Sequence, residues 1–190
     1  MAVNNKKTNP PAIIPEAPAK ITRKKKTPKI LAVVNPEAGN LGGGGFMVLR
    51  QADGTTHALD FREKAPLAAK RDMYLDAEGN LTEDSLVGHR AAGVPGTVMG
   101  LGAAHARFGT LPWKTLVQPA IMLADGFEMH PRLANSLLHH QTALARFAGT
   151  RDTFLPGGAA PREGDFFAQP ALAATLRRIQ DQGVEGFYRG

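Results

Sequence analysis

An α+β fold is predicted for this chain on three observations. Strand-like runs come first and helix-like runs after. The pair Asp53-Gly54 lies between FMVLR and TTHALDFR, and Asp-Gly between two such runs is a strong short-range hairpin signal. From Pro95 onward apolar residues recur at helical spacing, with prolines near the starts and glycines at the stops.

Taken in order, residues 1–30 are polar, lysine-rich and dotted with proline. Such a segment buries too little apolar surface to offset its ordering entropy, so a basic disordered tail is expected there. Residues 31–190 are expected to form the folded part, with order beginning near Ile30. ILAVV reads as a short β-type run. Gly42–Gly45 follow, then the FMVLR strand, the Asp-Gly turn and a second strand whose alternation is imperfect.

VPGTVMGLGAAHARFG predicts a helix stopping at Gly109. LPWKTLVQPAIMLADG predicts another between Pro112 and Gly126, kinked or split at the internal Pro119. A third is expected from Pro131, with Leu133, Leu137, Leu138, Leu144 and Phe147 as its buried stripe. A loop rich in proline and glycine precedes the last helix, which has Leu172, Leu176 and Ile179 on one face and ends at Gly183.

At 190 residues the chain can bury a real hydrophobic core. The net charge of +6 suggests nucleic acid until it is divided along the chain. Residues 1–30 hold eight Lys and Arg against Glu16, and the remaining 160 hold 15 basic and 16 acidic groups. The body is neutral. The RKKK run at 23–26 has no interleaved aromatic residues to stack on bases, so no nucleic-acid partner is expected. No run approaches 18 apolar residues, so no membrane span is expected. With no cysteine in the sequence, disulfides, thiolate metal sites and a cysteine nucleophile are excluded. The basic N-terminus lacks the apolar core of a secretory signal, and the compartment stays undetermined.

The glycine run raises a question of purpose. A phosphate loop needs a Lys-Ser/Thr pair after its glycines, and a dinucleotide turn needs a helix there. Gly45 instead leads into a strand. What remains is a strand-to-strand passage that needs positive φ or close backbone approach, or one that faces a substrate. Arg62, in ALDFREKAP, stands at a strand end before a loop. It suits bidentate grip of a carboxylate, or else a salt bridge to Asp60, Glu63 or another acid. The histidines show no metal-ligand spacing, and no GxSxG elbow occurs. No metal and no cofactor are therefore expected, and no catalytic nucleophile is assigned.

NPEAGNLGGGGFM, ALDFRE, RDMYLD, GVPGTVMGL, FGTLPW with QPAIMLADGF, and GFYRG form one ordered series across residues 31–190. The series resembles the large-subunit end of the γ-glutamyltranspeptidase family. That resemblance implies a partial N-terminal-nucleophile hydrolase αββα sandwich, made as a precursor that cuts itself into large and small subunits. The implied activity is cleavage of γ-glutamyl amides such as glutathione, with transfer of the glutamyl group to an amino acid, peptide or water. Arg62 matches the family arginine that grips the glutamyl α-carboxylate, and Gly42–Gly45 match a strand passing close to the site floor.

The implied nucleophile is a threonine exposed at the start of the small subunit, with its own amine as base. No threonine in these 190 residues matches that junction, so the role is assigned to none of them and the isolated chain is expected to be inactive. The lysine-rich tail also stands where the family has an opening strand and helix, so the chain reads as a fragment. A related glutaryl or cephalosporin acylase on the same scaffold, or a non-catalytic remnant, is the alternative reading.

Overall fold

The computed structural model describes residues 28–38 and 41–189. Helix α1 (Pro28–Val34) comes first. ILAVV is therefore helical, not the strand expected for it, and α1 crosses the expected boundary at residue 30. Five apolar residues in a row carry neither period, so their surroundings decide. Ala32 and Val33 are buried in the main core, and the carbonyls of Val33 and Val34 accept hydrogen bonds from Gln169 Nε2 and His130 Nε2, both at 3.0 Å. Side chains from distant segments thus close the helix end, as its free carbonyls require. Residues 1–27 and the tail expected there lie outside the described residues.

Strands β1 (Phe46–Arg50) and β2 (Thr56–Asp60) form the expected antiparallel hairpin, in register from Phe46 opposite Asp60 to Arg50 opposite Thr56. Gly54 N–H closes the turn on Gln51 O at 3.1 Å, and Gly54 sits at φ +90°. This is a three-residue loop with glycine at its left-handed position. Alternation is regular after all: Met47, Leu49, His57 and Leu59 are half-buried, and Phe46, Val48, Ala58 and Asp60 face outward.

Residues 61–96 form a long passage with two short 3₁₀ turns, Glu83–Ser85 and His89–Ala91. It is held internally by Tyr74 Oη donating to Arg90 O, by Thr82 Oγ1 donating to Tyr74 O, and by the Arg90–Asp84 ion pair. Helices α2 (Thr97–Phe108) and α3 (Trp113–Asp125) follow within the predicted proline and glycine limits. Helix α3 runs unbroken through Pro119. Its burial against α1 and α7 outweighs the one hydrogen bond that proline cannot donate to Thr115 O.

Strand β3 (Phe127–Glu128) pairs with the later β4 (Phe166–Phe167), and the Phe127 and Phe167 rings meet edge to face at 5.8 Å. Between them the predicted third helix is three: α4 (Pro131–His139), α5 (Gln141–Leu144) and α6 (Ala148–Phe154). The breaks fall at His140 and at Phe147, which is extended at φ −119°, ψ 125°. Leu133 and Leu137 are buried as expected and Leu144 is half-buried, but Leu138 and Phe147 are exposed, Leu138 to 63%, and neither belongs to the stripe.

Helix α7 (Pro170–Gln182) packs on α3 and ends at Gly183, with φ +65°; α8 (Glu185–Tyr188) follows. The main core interleaves Val33 of α1, Val117, Ala120, Ile121 and Ala124 of α3, and Ala173, Leu176 and Ile179 of α7. Alanines on the α3–α7 seam let the two helices approach closely, and each fully buried Leu or Ile contributes roughly 1.5–3 kcal/mol of transfer free energy. A smaller core gathers Met129, Leu133, Leu137 and Phe167. Among the described residues no helix is long and apolar enough to cross a membrane.

Candidate substrate-binding site

The segment Phe61–Lys64, just after β2, lies between the glycine run and the start of α2. Phe61 exchanges both backbone hydrogen bonds with Gly45, at 2.9 and 3.3 Å. Lys64 does the same with Val94, at 2.8 and 3.1 Å. The carbonyl of Gly43 accepts from Gly96 N–H at 2.9 Å and Thr97 N–H at 3.0 Å, which anchors the first turn of α2 to the run.

Side chains would not fit here. A Cβ on Gly44 would stand 2.5 Å from Phe61 O and 2.7 Å from Arg62 Cα. One on Gly96 would overlap the Phe61 carbonyl, and one on Gly100 the Phe61 ring. Gly43, Gly44 and Gly45 all have ordinary φ. At Gly44, close approach is the purpose observed, and positive φ is not. Gly96 and Gly100 are among the residues that line the nearby cleft. The run fixes the backbone that carries Arg62.

Arg62 lines that cleft, which has a volume of about 720 Å³. Its backbone N–H donates to Asp60 Oδ1 at 3.0 Å. Its Nε and Nη2 face Oδ1 and Oδ2 of the same carboxylate, each at 3.4 Å. Those side-chain contacts are at the long end of hydrogen bonding, and the Arg62 side chain keeps 63% of its surface exposed. The Phe46 ring lies 4.9 Å under the guanidinium carbon, a cation–π contact. The Asp60 carboxyl is held below the ordinary carboxylate range, chiefly by the Arg62 backbone N–H and further by the Arg62 side chain.

Tyr188 also lines the cleft. Its hydroxyl donates to Pro95 O at 2.7 Å and accepts from Met99 N–H at 3.3 Å, so α8 is fastened to the start of α2. Tyr188, Met99 and the glycines of α2 were not singled out from the sequence. The four-residue spacing of Gly96 and Gly100 puts both on one helix face and was the available signal. Several histidines have structural partners instead: His105 meets Leu111 O, His57 packs on Phe108, and His130 joins two helix ends. Among the described residues no three His, Asp or Glu converge as a metal site would need.

A family model described as Gamma-glutamyltranspeptidase matches residues 27–190. The chain belongs to the γ-glutamyltranspeptidase family. It is 51% identical over 162 residues to a glutathione hydrolase proenzyme of Pseudomonas aeruginosa, covering 84% of this chain and 28% of that protein. With the glutathione hydrolase proenzyme of Escherichia coli the identity is 44% over 163 residues, again 84% of this chain and 28% of the relative. The crystal structure of Helicobacter pylori γ-glutamyltranspeptidase superposes with a TM-score of 0.82 at 44% identity, covering 86% of this chain and 48% of that one. The α+β arrangement is thus part of the N-terminal-nucleophile hydrolase fold of these γ-glutamyltranspeptidases. The chain spans little more than a quarter of the length of the curated relatives it matches.

Proposed function

We propose that this γ-glutamyltranspeptidase chain supplies the grip on the α-carboxylate of a γ-glutamyl substrate such as glutathione, and that Arg62 is the gripping residue. The guanidinium at the cleft carries the reading. It is held by its backbone and along one edge, and it is still open to a ligand. A carboxylate bound there would fix the glutamyl group by one end, leaving the γ-amide to be presented at a distance set by two methylenes. Positioning of that kind lowers the barrier by pre-paying orientation, and it acts on substrate and transition state together.

Bond breaking needs a nucleophile. In the proposed reaction a threonine hydroxyl adds to the γ-carbonyl, its amine takes the proton, and the amide nitrogen leaves protonated. The resulting γ-glutamyl ester then passes to an amino acid, a peptide or water. A small subunit cut from the same precursor would supply that threonine. These 190 residues assayed alone are expected to give no turnover of a γ-glutamyl anilide, and measurable turnover with a covalent adduct would refute this.

The carboxylate grip is tested by comparing L-glutamine with 4-aminobutanamide, which differs only in lacking the α-carboxylate. In a ¹⁵N-labelled chain L-glutamine is expected to shift the Arg62 Nε–H resonance and the butanamide to leave it in place. Equal responses to both compounds would remove the assignment.

A further inference from the structure

We propose that Asp60 is a positioning residue for Arg62: its carboxylate occupies one edge of the guanidinium and thereby aims the opposite edge into the cleft. The inference rests on the reading of Arg62 as a carboxylate grip. A guanidinium has five N–H donors in a planar fork, with two edges that can each take a carboxylate. Here the edge formed by Nε and Nη2 faces Asp60. The edge formed by Nη1 and the outer hydrogen of Nη2 has no hydrogen-bond partner among the described residues.

Three restraints act together. The Asp60 Oδ1 atom takes the Arg62 backbone N–H, a turn that sets where the side chain leaves the main chain. The Phe46 ring covers one face of the guanidinium, and Phe46 is paired with Asp60 in the hairpin register. The glycine contacts at Gly44 and Gly96 prevent the Arg62 backbone from shifting. The side-chain contacts to Asp60 are long, at 3.4 Å, so the ion pair orients the cation without consuming it. An exposed pair of this kind adds little stability. Its value lies in the rotamers it removes, which a long side chain otherwise gives up on binding.

A mere counter-ion makes the opposite prediction. If Asp60 only competed with the ligand for the cation, deleting it would raise anion affinity. If Asp60 aims Arg62, deleting it lowers affinity.

The experiment uses the full chain and reads the Arg62 Nε–H by NMR, first without ligand and then during titration with L-glutamine. In the parent the Nε–H is expected to be ordered. In Asp60→Ala its order is expected to fall to that of an exposed arginine, and L-glutamine is expected to bind about tenfold more weakly. Asp60→Asn keeps an oxygen for the Arg62 backbone N–H but presents an uncharged amide to the guanidinium. It should restore the backbone turn and not the side-chain order. Asp53→Ala, in the same hairpin but remote from Arg62, should leave the Nε–H unchanged, which separates aiming from loss of the hairpin. An Nε–H as ordered in Asp60→Ala as in the parent, or L-glutamine binding there as tight or tighter, overturns the inference. If the parent shows no response to L-glutamine, the carboxylate reading of Arg62 fails, and the ligand-free order of the Nε–H alone decides the role of Asp60.

Discussion

The Nε2–H of His130 reaches the carbonyl of Val34 at 3.0 Å, across 96 positions of sequence. The other ring nitrogen, Nδ1, accepts from Leu133 N–H at 3.2 Å as the N-cap of α4. One neutral imidazole in a single tautomer therefore finishes α1 and starts α4. His130→Ala should destabilise the chain by about 1–2 kcal/mol, the usual cost of losing a cap together with a partner for a helix-end carbonyl. His130→Asn can still cap Leu133 but is too short to serve Val34, so it should recover part of the loss. Chemical denaturation of the three proteins checks the order, and equal midpoints would contradict it.

Gly44 and Gly96 hold the backbone of Arg62 from two sides, and neither has room for a methyl group. Gly44→Ala and Gly96→Ala are each expected to cost roughly 1–3 kcal/mol, the range for overpacking a tight contact. A Cβ on Gly149 of α6 would meet nothing within 4 Å, so Gly149→Ala should be neutral or stabilising by about 0.4–1 kcal/mol. Thermal unfolding of the three variants gives the comparison. A Gly96→Ala protein as stable as the parent would show that the clamp can yield.

Acid should loosen the hairpin and the following passage first. Asp53, Asp60 and Asp76 accept backbone N–H groups from Thr55, Arg62 and Asn80 respectively, and each carboxyl is held below its ordinary range mainly by that bond. Because these folded pKa values are depressed, the stabilisation is complete above the unfolded value of about 4 and is lost as pH falls through the lower folded values. The contribution of these three carboxylates to the melting temperature should be lost below about pH 4. Amide exchange at Thr55 and Arg62 should quicken over the same range, and exchange at those two amides that stays unchanged through it would contradict the prediction.

The outer face of the hairpin is an exposed apolar surface beside the site. Phe46 is 66% exposed and Val48 74% exposed, beside two strands that pair only with each other among the described residues. Exposed apolar strands associate with other chains. The isolated chain should scatter light and bind a hydrophobic dye at micromolar concentration, and Val48→Lys should reduce both. A monodisperse parent with cooperative unfolding would contradict this.

Local chemistry makes part of the fold legible in advance. Asp53-Gly54 marks the hairpin because only a turn with glycine at positive φ joins those strands so closely. Pro112 and Gly126 bound α3 because one lacks the N–H a helix interior needs and the other ends it cheaply. ILAVV misleads because an unbroken apolar run has no period, and its helix is completed by Gln169 and His130 from far along the chain. The two-residue strands β3 and β4 carry too few positions for any pattern. Leu138 misleads because it follows the buried Leu137 but points about 100° further round the same helix, toward solvent. Arg62 can be singled out by its place at a strand end, but its relation to Tyr188 depends on tertiary packing that local spacing does not encode.

The hydroxyl of Tyr188 has a consequence for the order of assembly. The hairpin that bears the arginine can form as soon as its own residues have left the ribosome, since its strand pairing is local. Tyr188, which lines the same cleft, is made more than a hundred positions later. The guanidinium therefore stands beside an open shelf until the segment carrying Tyr188 has been made and has docked on the start of α2.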